Sequence, residues 1–156
     1  MKILVIYDSY FGNTKKVAEA MFELIKEYGE IASVKEYKLE GKYDLIVIGS
    51  PTRAFSPTKE IGTFAKKLTS KQVSNVAFFD TRVDITTIDN KFLTFMEKRF
   101  GYSNDTLEKI FRRKKVNQIT EAGKFYVHGN EGPLFDNELI NAKLWITEAI
   151  NKISIN

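Results

Sequence analysis

A chain of 156 residues, 43% hydrophobic and without cysteine, can bury one substantial core and shows no bias toward disorder or a fibrous repeat. The missing cysteines exclude disulfides, thiolate metal sites and cysteine nucleophiles together, and they fit a cytoplasmic protein. The net charge of +4 is evenly spread, with 13 basic against 12 acidic residues through Asn90 and 11 against 8 beyond it, so neither half reads as a nucleic-acid arm.

Residues Lys2–Tyr7 open with an apolar run too short for a signal segment or a membrane span, and it reads as a first strand buried on both faces. Val17, Met21, Leu24, Ile25 and Tyr28 recur at helical spacing, with Gly29 as the predicted helix stop. Ile31–Tyr37 alternates like a half-buried edge strand, and Asp44–Gly49 is a second buried run. Ser56-Pro57 is the predicted start of the next helix, whose inward face is Ile61, Phe64 and Leu68. Asn75–Asp80 is a third buried run, followed by predicted helices over Asp89–Phe100 and Asn104–Lys115 that break at Gly101. Asp105 is the expected cap of the second, with Glu108 three residues on. Its end, Arg112-Arg113-Lys114-Lys115, reads as a solvated helix terminus rather than a nucleic-acid patch. Val116–Ile119 and Lys124–His128 form two pieces of a last strand, and Asp136 is the expected cap of a final helix facing inward through Leu139, Ile146, Ile150 and Ile153.

This order predicts a single α/β domain over 1–156: a three-layer, five-stranded parallel sheet in the order 2-1-3-4-5 with helices on both faces. In such sheets a ligand binds outside the carboxyl ends of the strands, where the winding reverses. The loops after Tyr7, Gly49 and Phe79 are thereby nominated.

The first of these runs Asp8-Ser9-Tyr10-Phe11-Gly12-Asn13-Thr14 and precedes a helix. Two hydroxyls, an amide and a glycine stand where unpaired helix N–H groups point outward, a combination suited to an anion. Neither G-x-G-x-x-G nor a Walker pattern is present, which points to a monophosphate. An ordinary connection capped by Asn13 or Thr14 is the competing reading.

S-Y-F-G-N-T resembles the phosphate loop of the flavodoxin family, T/S-x-T-G-N-T, with Phe11 at a position where that family commonly has a hydroxyl. The resemblance implies that Ser9, Tyr10, Phe11, Gly12, Asn13 and Thr14 wrap the phosphate of flavin mononucleotide (FMN). G-S-P-T-R-A-F, at Gly49–Phe55, resembles the loop beside the flavin ring, which implies roles for Pro51, Thr52, Arg53, Ala54 and Phe55, with Phe55 as the stacking aromatic. Arg53 near the ring would favour the reduced, anionic flavin and make the couple less reducing than in acidic flavodoxins. F-D-T-R resembles a third contact, which implies that Asp80, Thr81 and Arg82 approach the pyrimidine side. The tyrosine usual in that loop is missing, so the ring is covered on one side or by a second subunit in a homodimer. F-G-Y before Asn104 and E-G-P-L at Glu131–Leu134 also resemble a small flavodoxin-like subgroup.

The resemblance implies an FMN-dependent electron carrier working with a redox partner protein, and no catalytic side chain or metal. One alternative is a small FMN enzyme passing electrons from NAD(P)H to a quinone or another small acceptor. Another is an interaction domain of the same fold with weak or lost FMN binding. The lone histidine, His128, is expected to be structural or exposed rather than a proton donor. A receiver-domain reading fails because the third strand ends G-S-P rather than with a phosphoacceptor aspartate. Nothing in the chain points to nucleic acid or membrane.

Overall fold

The computed structural model describes residues 1–154, so the end of the expected 1–156 domain, 155–156, lies outside the described residues. Strand β1 (Ile3–Tyr7) leads to helix α1 (Asn13–Phe22), β2 (Gly29–Ser33) and β3 (Tyr43–Pro51). Helix α2 (Lys59–Lys67), β4 (Val73–Val83) and a 3-10 turn (Ile85–Thr87) follow. Two consecutive helices, α3 (Lys91–Phe100) and α4 (Ser103–Arg112), precede β5 (Asn117–Gln118), β6 (Gly123–Val127) and α5 (Glu138–Ser154).

All strand pairs are parallel, in the order β2-β1-β3-β4, and β4 carries the last position in two pieces. Asn75 and Val76 of β4 pair with β5, whereas Phe79 through Val83 pair with β6. The 2-1-3-4-5 order and the split last strand are therefore as the sequence predicts.

The apolar run of β1 is buried on both faces, and strand parity divides it. Ile3 and Val5 join α1 and α5 in one core with Val17, Met21, Phe79 and Ile146, while Leu4 and Ile6 join α2 and α4 in the other with Ile61, Phe78, Leu107 and Phe111. Phe78 and Phe111 stack with ring centres 5.6 Å apart. The basic run ending α4 has a structural task as well: Lys114 Nζ donates to the carbonyls of Lys66 and Leu68 at 2.6 and 2.8 Å, which satisfies the end of α2. Burial also holds the Tyr43 hydroxyl neutral inside a chain of bonds with Tyr37 and Glu30.

Several predicted boundaries move. Helix α1 stops at Phe22, and Gly29 begins β2 instead of ending the helix. A side chain there would meet Ile25 at 2.9 Å, so glycine serves a close approach rather than a cap. Thr58, not Ser56, caps α2 by accepting from the Ile61 amide, because Ser56 is drawn into a bridge with Arg53. Asp105 sits inside the first turn of α4 and its carboxylate accepts from the Tyr102 amide at 2.6 Å. Asn137, with φ 68°, rather than Asp136, immediately precedes α5, and its carbonyl takes the Asn141 amide. Leu139 is exposed, since the buried stripe of α5 runs through Ala142, Ile146 and Ala149, whose two alanines let it approach α1. Helix α3 has no buried residue, and Phe92, Phe95 and Phe100 are exposed.

Candidate functional site

The carboxyl ends of β1, β3, β4 and β6 converge on one cleft. Its walls are Ser9, Tyr10, Phe11, Asn13, Thr14, Pro51, Thr52, Arg53, Thr81 and Arg82, joined by Val83, Val127 and Asn130. Gly12, Ala54, Phe55 and Asp80 complete the predicted set without lining the cleft. Val127 and Asn130 were not anticipated, although the rule that nominates strand ends applies equally to the last strand.

The first loop is shaped around Gly12, whose φ of 87° lies in the left-handed region at the N-cap of α1. Neither Asn13 nor Thr14 caps the helix. Ser9 Oγ instead accepts the amides of Gly12 at 3.1 Å and Lys15 at 3.3 Å, leaving its own proton free to donate. Among the described residues no protein acceptor faces the amides of Tyr10, Phe11, Asn13 and Thr14. Four donors and a hydroxyl at the positive end of a helix make a cradle for an anion.

The cradle is braced from two directions. Asn13 Nδ2 donates to the Glu131 carbonyl at 2.8 Å, and Gly132 leaves Asn13 so close that a β-carbon there would stand 2.5 Å from Nδ2. The E-G-P-L segment is thus a support for the first loop. The hydroxyls of Thr14 and Thr81 share a bond of 2.7 Å, one donating and the other keeping its proton. Asp8, the first residue of the loop, is a contributor to which sequence reasoning gave no role. Its Oδ1 accepts the Ser9 amide at 2.9 Å and pairs with Lys35 at 3.1 Å, an interaction that raises the lysine's pKa.

The second loop leaves β3 and folds back at once. Arg53 and Ser56 exchange both backbone bonds across a turn whose central residues, Ala54 and Phe55, have φ of 45° and 64°. Such angles cost non-glycine residues on the order of 1 kcal/mol each. The turn sets the Arg53 guanidinium 4.9 Å from the Tyr10 ring centre and 5.6 Å from that of Phe11. Tyr10 and Phe11, rather than Phe55, therefore supply the aromatic wall.

The third contact is part of a strand rather than a loop. β4 continues to Val83 because β6 pairs along Phe79–Val83, and the two-residue period sorts its side chains. Thr81 points to the α1 side and meets Thr14; Asp80 and Arg82 share the other side. Arg82 donates from Nε and Nη2 to the two Asp80 oxygens, both at 2.6 Å. Asp80 Oδ2 also accepts from Thr52 Oγ1 at 3.2 Å and from the Asn104 amide at the start of α4 at 3.3 Å. Burial pushes the Asp80 carboxyl upward from its ordinary pKa, against the opposing pull of Arg82, Asn104 and Thr52. The Tyr102 ring lies 3.5 Å from the guanidinium carbon, which gives F-G-Y its place in the site.

His128 follows β6 but stacks on Phe135 at 4.2 Å and does not line the cleft. No cluster that could hold a metal ion, and no helix long and apolar enough to cross a membrane, occurs among the described residues.

Comparison with known proteins agrees with this geometry. Solved structures share the fold: a flavodiiron core from Synechocystis (TM-score 0.70, 16% identity, 99% of this chain and 36% of that one), flavodoxin 2 from Bacillus cereus (0.65, 17%, 97% and 99%), and a Fusobacterium nucleatum flavodoxin variant described as bound to FMN (0.61, 14%, 97% and 96%). The chain spans about a third of the flavodiiron structure, 36%, but nearly all of the flavodoxins. No curated protein matches it by sequence. The model of the flavodoxin domain family matches residues 4–124, a span that includes the cradle, both arginines and the α4 amino end, and the chain belongs to that family.

Proposed function

We propose that the cleft binds FMN and that the protein carries electrons between partner proteins. The observation that carries this reading is the set of unmet donors on one loop, the amides of Tyr10, Phe11, Asn13 and Thr14 with the Ser9 hydroxyl, beside an aromatic and guanidinium-lined slot. The donors fit a phosphate and require no basic side chain. Phe11 removes one hydroxyl from the usual pattern, and the backbone amides compensate. Tyr10 and Phe11 offer apolar surface to a planar ring, and Arg82 and Thr52 offer polar groups on the far wall. When bound, FMN supplies one- and two-electron chemistry, and the chain's task is to hold it and shield it from water.

A carrier is favoured over an enzyme with its own substrate because the cleft's walls hold no carboxylate or histidine to move protons, among the described residues, and His128 is engaged elsewhere. Titration of the purified chain with FMN tests the reading. Quenching of flavin fluorescence at one equivalent is expected, weakened at least tenfold in Ser9→Ala/Thr14→Ala. Undiminished fluorescence with the wild type overturns it. Turnover of NADPH with a quinone, without any added reductase, would instead favour the enzyme.

A further inference from the structure

We infer that Arg82, and not the more conspicuous Arg53, is the residue that sets how much more tightly the cleft holds reduced than oxidised FMN. The inference rests on the FMN reading above and deepens it.

Arg82 is 6% exposed, yet it lines the cleft. Its Nε and Nη2 are spent on Asp80, and Tyr102 covers one face of the guanidinium. The remaining nitrogen, Nη1, has no acceptor among the described residues. It is also absent from the sealed, partnerless polar atoms among the described residues, which are Asp8 Oδ2, Ser103 Oγ and Asn104 Oδ1. The open edge of the guanidinium therefore belongs to the cleft. Asp80 lies behind it at 0% exposure, its charge shared with Thr52 and the α4 amide. The result is a fixed dipole with its donor end toward the cleft, already oriented before any ligand binds.

Uptake of two electrons and one proton gives the ring one negative charge, which such a donor favours over the neutral oxidised ring. Arg53 is cationic too, but it stands in solvent on a surface turn, where water and salt screen it. Low local dielectric magnifies the buried group and not the exposed one.

The test compares FMN affinity in the oxidised and reduced states, by fluorescence quenching and by dye-equilibrated redox titration. Asp80→Asn/Arg82→Gln removes both charges without orphaning either, and Arg82→Lys keeps charge while losing the fork. At least tenfold loss of preference for reduced FMN is expected in the double variant, a midpoint about 30 mV lower for a two-electron couple. Arg82→Lys should show a smaller loss in the same direction, and Arg53→Ala a change below threefold. An unchanged ratio in either folded Arg82 variant, or a larger shift from Arg53→Ala, overturns the inference. A wild type that takes up no oxidised FMN is a different result: it defeats the FMN reading itself, and this inference with it.

Discussion

Arg53 and Arg82 reach the same cleft from neighbouring strands, β3 and β4, and are held in opposite ways. The turn that carries Arg53 is exposed, uses left-handed backbone at Ala54 and Phe55, and rests its guanidinium on two half-exposed rings. Arg82 is buried, forked onto Asp80 and stacked on Tyr102. A cation on a surface turn is adjustable and contributes little to the fold, whereas a buried one must be paired, and the pairing fixes its direction. Two consecutive helices repeat the contrast. The start of α4 is bonded to Asp80 and Thr52 and buries Leu107 and Phe111, while α3 buries nothing.

The largest expected effect comes from leaving Arg82 without its counter-charge. Asp80→Asn should cost about 3–5 kcal/mol in urea denaturation, and pairing it with Arg82→Gln should recover much of the loss. A single-variant cost below about 1 kcal/mol, at the level of an exposed pair, would erase the distinction. The turn should respond in the other direction. Ala54→Gly relieves left-handed strain and should stabilise the chain by up to about 1 kcal/mol in the same urea denaturation, and a loss of stability would sink the strain argument. Arg53→Ala should then change stability by less than about 1 kcal/mol, since only exposed ring contacts are lost.

The smallest expected effect is confined to alkaline pH. Burial, with the Glu97 carboxylate nearby, raises the Tyr102 pKa above its ordinary 10.0. A raised folded-state value means that this contribution is complete below pH 10.0 and is lost as pH rises through the higher folded value. Denaturation midpoints at pH 9 and 11 should therefore fall less in Tyr102→Phe than in the wild type. An equal fall in both would place the alkaline sensitivity elsewhere, with Tyr37 and Tyr43 the next groups to replace.

The layered sheet and its strand order were legible in the chain because continuous apolar runs, helical periods and their alternation are local signals. The anion cradle was legible for the same reason: Ser9, Gly12, Asn13 and Thr14 sit within one short segment before a helix. Boundaries were less so. Ser56 looks like a cap until its bridge to Arg53 removes it, and Asp80 to Arg82 look like a loop until β6 extends the strand beside them.

From its own residues, then, the sequence determined the class of fold, which strand ends line the cleft and which donors the first loop carries, since each depends on neighbours a few positions apart. Only the tertiary structure decided that Tyr10 and Phe11, and not Phe55, line the cleft, that Glu131 and Gly132 brace Asn13, and that Arg82 is buried and paired while Arg53 is exposed. Those outcomes depend on groups separated by many residues, such as Asp80 with Asn104 and Asn13 with Glu131. Burial and pairing at such distances are set by how the layers close, and no local pattern encodes them.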